Sequence, residues 1–354
     1  MKAMIMAAGV GSRLMPLTTN ISKPMVPIAN LPAIAHIVNL LRYHGVTEAI
    51  ANLHYKAEAI DSFFKVNKYR NFEIHFSYEQ ELLGTAGGVK KVEAFLNNDT
   101  FIIISGDAIT DIDLTDMLDF HRAKGSKVTI ALKEVEDTDK FGVVVCDEQN
   151  HIKSFQEKPK KGTELSNLVN TGIYIMEPEI LDLIPAGGFY DFGKDLFPLL
   201  VEKSIPFYGY KMEGYWCDIG SLSQYHQANR DALSHVVKLD VRPSFYNAKN
   251  IKITGNVLIG EGTIIGDNVI INGPCVIGNN CHIGDGSILN DVVIWHNVRV
   301  GKNAHLSSCV VGNECYLYDN VIVADGAILS DDVQVLDNAV IKPNVKIEAG
   351  KVIE

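Results

Sequence analysis

Residues 1–24 read MKAMIMAAGVGSRLMPLTTNISKP. Lys2 to Met6 has the look of a short apolar strand, and Ala7-Ala8-Gly9-Val10-Gly11-Ser12 then carries almost no side chain. Arg13 follows at once, and Lys23-Pro24 comes ten residues later. Small residues let a backbone close around a ligand, and glycines permit φ > 0, so successive N–H groups can converge. Converging N–H groups plus two cations form a receptor for a polyphosphate. The commoner phosphate loops are spelled differently. A P-loop needs G-x-x-x-x-G-K-[ST], and here Arg13 follows Gly11-Ser12. The dinucleotide fingerprint needs a third glycine where Leu14 stands. A glycine pair by itself is also what a plain strand-to-helix turn contains.

Outward from that stretch, strand and helix patterns alternate to about residue 235. Helical spacing is predicted for Ala33–Tyr43, Ala57–Phe64, Val89–Leu96, Leu114–Arg122 and Leu222–Leu233. Strands are predicted at Ala49–Leu53, Phe72–Tyr78, Thr100–Ser105 and Lys127–Leu132, with shorter ones after Phe141. The alternation predicts a mostly parallel α/β sheet with helices on both faces. Ligands bind such sheets at the carboxyl ends of the strands. The loop after Met6 and Ser105-Gly106-Asp107 both fall there.

Residues 236–250 lack periodicity and read as a linker, with Arg242-Pro243 and Phe245-Tyr246 as marks of extended chain. From 251 to 354 the chain changes character. Ile253, Ile259, Ile265, Ile271, Ile277, Ile283 and Leu289 recur every sixth residue, the phase slips near Trp295 and again after Leu306, and Val311 to Ile353 resume it. A six-residue repeat of this length predicts a parallel β-helix of about five coils. The repeat is still in phase at Glu354, so its last coil is expected to be covered by another subunit or by further chain.

The 354 residues carry a net charge of −11, which argues against nucleic acid or an anionic membrane as partner. No apolar run approaches a membrane span and no leader pattern opens the chain, so a cytoplasmic protein is expected. The six cysteines lack metal-ligand spacing and read as reduced, mostly buried thiols.

The run G-x-G-S-R-x-x-P-L-T followed by S-K-P resembles the opening motif of the sugar-1-phosphate nucleotidyltransferases. The resemblance extends along the chain through Leu83-Gly84-Thr85-Ala86-Gly87-Gly88, Ser105-Gly106-Asp107, Phe141-Gly142-Val143, Glu157-Lys158-Pro159, Asn170-Thr171-Gly172 and Asp218-Ile219-Gly220. The repeat region resembles the hexapeptide left-handed β-helix, and its handedness comes from that resemblance. The implied fold is a Rossmann-like nucleotidyltransferase domain over 1–235 and a left-handed β-helix over 251–354.

The resemblance implies roles for these residues. Ala7, Ala8, Gly9, Gly11, Ser12 and Arg13 would hold the nucleotide phosphates, and Lys23 would neutralise charge near the α-phosphate. Asp107 and Asp218 would hold Mg²⁺, although a lone strand-end aspartate commonly caps a helix instead. Asp113, just before Leu114, is expected to be such a cap. Gly84 and Thr85 would lie under the base, with Glu79 reading its edge. Gly142, Glu157, Lys158, Asn170 and Thr171 would hold the sugar phosphate. A carboxylate at 79 only accepts hydrogen bonds, and guanine offers adjacent donors at N1 and N2.

The expected reaction is therefore GTP with mannose 1-phosphate, with a glucose-1-phosphate uridylyl-, thymidylyl- or adenylyltransferase as the alternative. Two readings of other kinds are a non-catalytic regulatory subunit and an added acyltransferase activity in the β-helix. Self-association through the β-helix is expected.

Overall fold

Short strands that are apolar at adjacent as well as alternating positions can be buried on both faces, which is what a central parallel strand requires. Lys2–Met6 and Phe101–Ser105 are such strands, and they pair in parallel at the middle of a nine-stranded sheet. Glu48–Leu53 and Glu73–Tyr78 extend the parallel part on one side. On the other side the direction reverses: Leu168–Met176 pairs antiparallel with Phe101–Ser105, and Gly142–Cys146 and Ile152–Glu157 follow it to the edge. Val128–Glu134 also pairs with Leu168–Met176, and Phe207–Lys211 lies parallel to it. Met4, Phe101, Ile103, Tyr174, Phe192 and Phe197 are buried in one core beneath this sheet.

The computed structural model describes residues 1–241 and 250–354, so most of the predicted linker, including Arg242-Pro243 and Phe245-Tyr246, lies outside the described residues. By compactness the chain forms two units: Met1–Val10 with Ile34–Asp218, and Gly11–Ala33 with Ile219–Glu354. The motifs alone place a boundary near residue 235. The difference has a physical cause. The segment Gly11–Ala33 and the helix Leu222–Leu233 hydrogen-bond to β-helix coils, through Ser330 to Pro16, Asn30 to Ile277 and Trp295 to Tyr225.

One helix starts earlier than its apolar spacing predicts. It spans Gly84–Lys91, with Glu93–Leu96 after it, so the glycine run is its first turns and not a loop. Only Gly84 there has a left-handed φ, at 75°. Gly87 and Gly88 serve close approach: a Cβ on Gly87 would lie 2.7 Å from the Gly188 carbonyl oxygen, and one on Gly88 would lie 2.7 Å from Glu79 Oε1.

Among the described residues of the second unit the hexads wind into a left-handed β-helix of three parallel sheets, each of six strands, one coil more than expected. Ile259, Ile277, Ile294, Val311, Leu329 and Ile347 stack in register along one sheet. They meet the inward residues of the other two sheets in a single apolar core. The two phase slips are corners one residue shorter, between Leu289 and Ile294 and between Leu306 and Val311. Cys275, Cys281, Cys309 and Cys315 are free and buried in this core, and burial pushes their thiols up, Cys275 to about 11 and Cys315 to about 12.

Candidate active site

In the first unit the carboxyl ends of the parallel strands carry Ala7, Glu79 and, after Gly106, Asp107. Ala7 leaves Lys2–Met6 with its N–H donated to Asn52 Oδ1 at 2.8 Å. Asn52 Nδ2 donates in turn to Glu79 Oε1 at 2.8 Å, and Glu79 Oε2 accepts the Leu83 N–H at 3.1 Å. This chain ties the small-residue loop to the start of the Gly84 helix. It also fixes the roles of its members: Asn52 must turn its oxygen to Ala7, so its amide needs an acceptor, and the Leu83 N–H needs another. A carboxylate supplies both. Glu79 is only 5% exposed, so these bonds fill much of its surroundings.

Thr85 is engaged by the fold as well. Its hydroxyl donates to Asp191 Oδ2 at 3.0 Å and accepts the Phe192 N–H at 2.8 Å. The Tyr190 carbonyl accepts the N–H groups of Ala86 and Gly87, and a Cβ on Gly84 would lie 2.5 Å from it. Beside this helix opens a cleft of about 680 Å³ lined by Gln80, Glu81, Leu83, Gly87 and Lys91. Asn52 and Asp191 join this network without belonging to any of the motifs. Asn52 carries a visible signal, an amide in a strand, EAIANL, that is apolar between Glu48 and Asn52.

Asp107 and Asp218 are brought together. Ala108–Thr110 pairs antiparallel with Trp216–Asp218, and the register sets Asp218 across from Ala108, one residue from Asp107. Gly106 donates its N–H to the Met6 carbonyl at 2.9 Å, and Ser105 Oγ donates to Asp107 Oδ1 at 2.5 Å. Among the described residues no group of three or more His, Cys, Asp or Glu could hold a metal. A pair of hard carboxylate oxygens suits Mg²⁺, which commonly takes one or two carboxylates and completes its shell with water and phosphate oxygens. Asp113 behaves as expected, accepting the N–H groups of Thr115 and Asp116 as a helix cap.

The predicted sugar-phosphate residues lie on the antiparallel side of the same sheet. The register places Glu157 opposite Gly142. A Cβ on Gly142 would lie 2.4 Å from the Phe155 ring, and one on Gly193 would lie 2.6 Å from Glu157 Oε2, so both glycines make room for this strand end. Lys158 takes a left-handed φ of 46°, donates its N–H to the Phe141 carbonyl, and keeps an exposed ammonium 3.6 Å from Glu157 Oε1.

Asn170, Thr171 and Gly172 occupy an irregularity where the pairing of Leu168–Met176 with Val128–Glu134 shifts register. Asn170 Nδ2 donates to Tyr174 Oη at 3.0 Å, and its Oδ1 accepts the Gly172 N–H at 2.9 Å. Burial holds the Tyr174 phenol well above its ordinary pKa, so it stays protonated. Thr171 is buried, with its hydroxyl on the Ala131 carbonyl at 2.7 Å, and its own carbonyl accepts from Trp216 Nε1 at 3.1 Å. Trp216 thus links the Asp218 strand to the Asn170 bulge, and it also packs edge-on against Phe141 at 5.3 Å.

Gly11, Ser12, Arg13 and Lys23 lie in the second unit. Gly11 takes a left-handed φ of 73°, and a Cβ there would lie 2.7 Å from Lys23 Cβ, so the loop closes directly onto the lysine. Thr18 Oγ1 donates to the Gly11 carbonyl at 2.9 Å and fixes that closure. Ser12 and Arg13 are exposed on a 3-10 turn, whereas Lys23 is buried.

The chain matches the family described as nucleotidyl transferase over residues 2–235 and the one described as EIF2B subunit epsilon LbH domain over residues 242–341. It is 43% identical over 286 residues to a UTP–glucose-1-phosphate uridylyltransferase of Synechocystis sp., covering 73% of this chain and 74% of that one. It is 36% identical over 264 residues to a mannose-1-phosphate guanyltransferase of Kluyveromyces lactis, covering 73% and 71%. Among solved structures it resembles HddC from Yersinia pseudotuberculosis complexed with GMP-PN. The TM-score is 0.57 at 27% identity, covering 65% of this chain and 99% of that one.

Proposed function

The chain belongs to the nucleotidyl transferase family and is a sugar-1-phosphate nucleotidyltransferase, and from that premise we propose that it transfers guanylyl from GTP to mannose 1-phosphate. The observation that carries the guanine reading is Glu79. It is a buried, acceptor-only group at the head of the glycine helix, and each of its oxygens keeps a lone pair beyond the bond it already accepts. The guanyltransferase relative and the guanine nucleotide in the HddC complex support the same reading.

In this reaction an oxygen of the sugar phosphate attacks the α-phosphorus in line, forming the new P–O bond as the bond to the β-phosphate oxygen breaks and pyrophosphate leaves. No covalent enzyme intermediate is required, so the chain's work is positioning and charge stabilisation. The proposal assigns the β- and γ-phosphates to the loop Ala7–Arg13, the α-phosphate to Lys23, and the sugar phosphate to Lys158, with Gly142, Glu157, Asn170 and Thr171 around the hexose. Asp107 and Asp218 would hold Mg²⁺, which neutralises phosphate charge when bound. Self-association through the β-helix belongs to the same proposal, supported by exposed Ile322 and Val340 on one outer face.

A second reading has a specific observation behind it: the 43% identity to the uridylyltransferase favours UTP and glucose 1-phosphate. Pyrophosphate release measured for four NTPs against both sugar phosphates decides. The highest kcat/KM is expected for GTP with mannose 1-phosphate. A maximum for UTP with glucose 1-phosphate would replace the first reading by the second. No release from any pair would favour the non-catalytic alternative.

A further inference from the structure

One corner of the β-helix breaks its own repeat where it meets the Gly11–Ala33 segment. The sheet built from Val257–Ile259, Cys275–Ile277, Val293–Ile294, Val310–Val311, Ile328–Leu329 and Lys346–Ile347 turns at the residue after each strand. The first five of these corner residues are Gly260, Gly278, Trp295, Gly312 and Ser330. Each donates its N–H to the coil above, at 2.8 to 3.0 Å. The stack is close: a Cβ on Gly278 would lie 2.3 Å from the Trp295 carbonyl oxygen, and one on Gly312 would lie 2.7 Å from the Ser330 carbonyl carbon. Glycine is therefore the residue the corner favours, and Trp295 and Ser330 are exceptions to be explained.

Both exceptions reach the same segment. Ser330, 1% exposed, donates its hydroxyl to the Pro16 carbonyl at 2.7 Å. The neighbouring Asp331 Oδ2 accepts from Asn20 Nδ2 at 3.3 Å. Trp295, also 1% exposed, donates Nε1–H to Tyr225 Oη at 2.8 Å, and that hydroxyl donates onward to the Pro27 carbonyl at 2.9 Å. Two coils before Ser330's neighbour Gly312, the Ile277 carbonyl accepts from Asn30 Nδ2 at 2.7 Å. Pro16 lies between Arg13 and Lys23, and Pro27 and Asn30 lie just after Lys23. The corner thus grips the segment between its two predicted phosphate-binding cations and again beyond the second.

We propose that Ser330 and Trp295 are positioning residues for nucleotide binding: the β-helix corner sets the backbone that presents Arg13 and Lys23. The inference rests on the assignment of those two cations to the nucleotide. A buried hydroxyl or indole N–H finds a partner in a folded protein, and here each partner lies on, or one bond from, the segment that carries the cations.

The test uses the full chain. Ser330→Ala and Trp295→Phe each remove one donor and keep most of the packing. Each should raise KM for GTP and for UTP about three- to tenfold, the size of one lost hydrogen bond, and leave KM for the hexose 1-phosphate within about twofold. Ser330→Thr, which keeps the hydroxyl, should restore the nucleotide KM. Calorimetric titration with GTP and UTP reads the same loss without turnover. If Ser330→Ala does not fold, Asn30→Ala tests the same grip at a half-buried position, with the same split expected. An unchanged nucleotide KM in these variants overturns the inference and leaves the transferase activity standing. So does an equal rise for both substrates, which would mark a general loosening. Absence of turnover in the wild-type chain with every NTP defeats the activity reading instead, and the nucleotide affinities then judge the corner by themselves.

Discussion

The α/β unit and the β-helix organise their polar chemistry in opposite ways. In the α/β unit the chemically interesting groups sit where regular structure stops: Ala7 after a strand, Asp107 after another, and Asn170 to Gly172 in an irregularity of a third. In the β-helix the regular structure repeats coil after coil, and two of the side chains that reach beyond the coils are departures from the repeat, Trp295 and Ser330 among glycines. A sheet that ends makes a site by exposing strand ends. A solenoid has no such ends along its length, so a new side-chain contact there comes from changing a letter of its repeat.

The largest effect that could break this comparison concerns the aspartates. Asp107→Asn and Asp218→Asn should each lower kcat at least about a hundredfold, with the thermal midpoint nearly unchanged, because each removes a charge from the proposed ion site and not core packing. Asp319→Asn in the β-helix is the control. Asp319 accepts the Lys302 N–H at 2.7 Å in an exposed corner, and its loss should leave kcat within about twofold. Near-normal turnover in limiting Mg²⁺ for either catalytic-unit variant would remove that residue from the ion site.

Glu79→Gln comes next and sharpens what a strand-end carboxylate is for. The substituted amide offers one acceptor where Asn52 and Leu83 present two donors, so one bond is replaced by a donor facing a donor. A fall of about tenfold in kcat/KM is expected from that alone, for every NTP. If Glu79 also reads guanine, the fall for GTP should exceed that for UTP. Equal falls would make Glu79 a brace and remove the support for the guanine reading.

Much of the fold was legible because its signals are local and periodic. The six-residue spacing required nothing but the inward row from Ile259 to Ile347, and the helix Leu222–Leu233 was predicted to the residue. That Asp107 lies next to the partner of Asp218 was suggested only by motif resemblance, since nothing local says that Ala108 and Asp218, so far apart in sequence, share a ladder. What stayed hidden depends on contacts across sequence. The Gly84 start of a helix was hidden because close packing against Tyr190 and Glu79, not propensity, admits its glycines. The grouping of Gly11–Ala33 with the β-helix was hidden because it rests on contacts between residues far apart in sequence, Ser330 with Pro16 and Asn30 with Ile277 among them. The corner row was visible in the sequence as Gly, Gly, Trp, Gly, Ser, but only the structure shows which way the exceptions point.

The open outer faces of the coils lead to a third test. Ile322 and Val340 are adjacent on one sheet and exposed, unlike the outward Val293 and Val310 of the sheet that carries the corner. Val340→Glu should reduce the particle mass in sedimentation if that face joins copies of this chain. The same mass as wild type would break the proposed role of that face.

The smallest effect is electrostatic and sits at the corner itself. Asp331, beside Ser330, is raised above the ordinary carboxylate pKa by burial, and the N–H groups of Asn313 and the Asn20 amide offset this only in part. A carboxyl with a raised pKa in the folded chain binds its proton more tightly there than in the unfolded chain. Between the ordinary value and the raised one, the folded state therefore holds more protons, and stability falls as pH rises through that window. Asp331→Asn removes this dependence. The stability of the variant relative to wild type, from urea midpoints at pH 4 and pH 7, should shift in the variant's favour at the higher pH by less than about 1 kcal/mol, since the group is partly solvated. A shift of the opposite sign would mean that the hydrogen bonds to the charged form outweigh its burial, and Asp331 would then count among the grips on the segment in its own right.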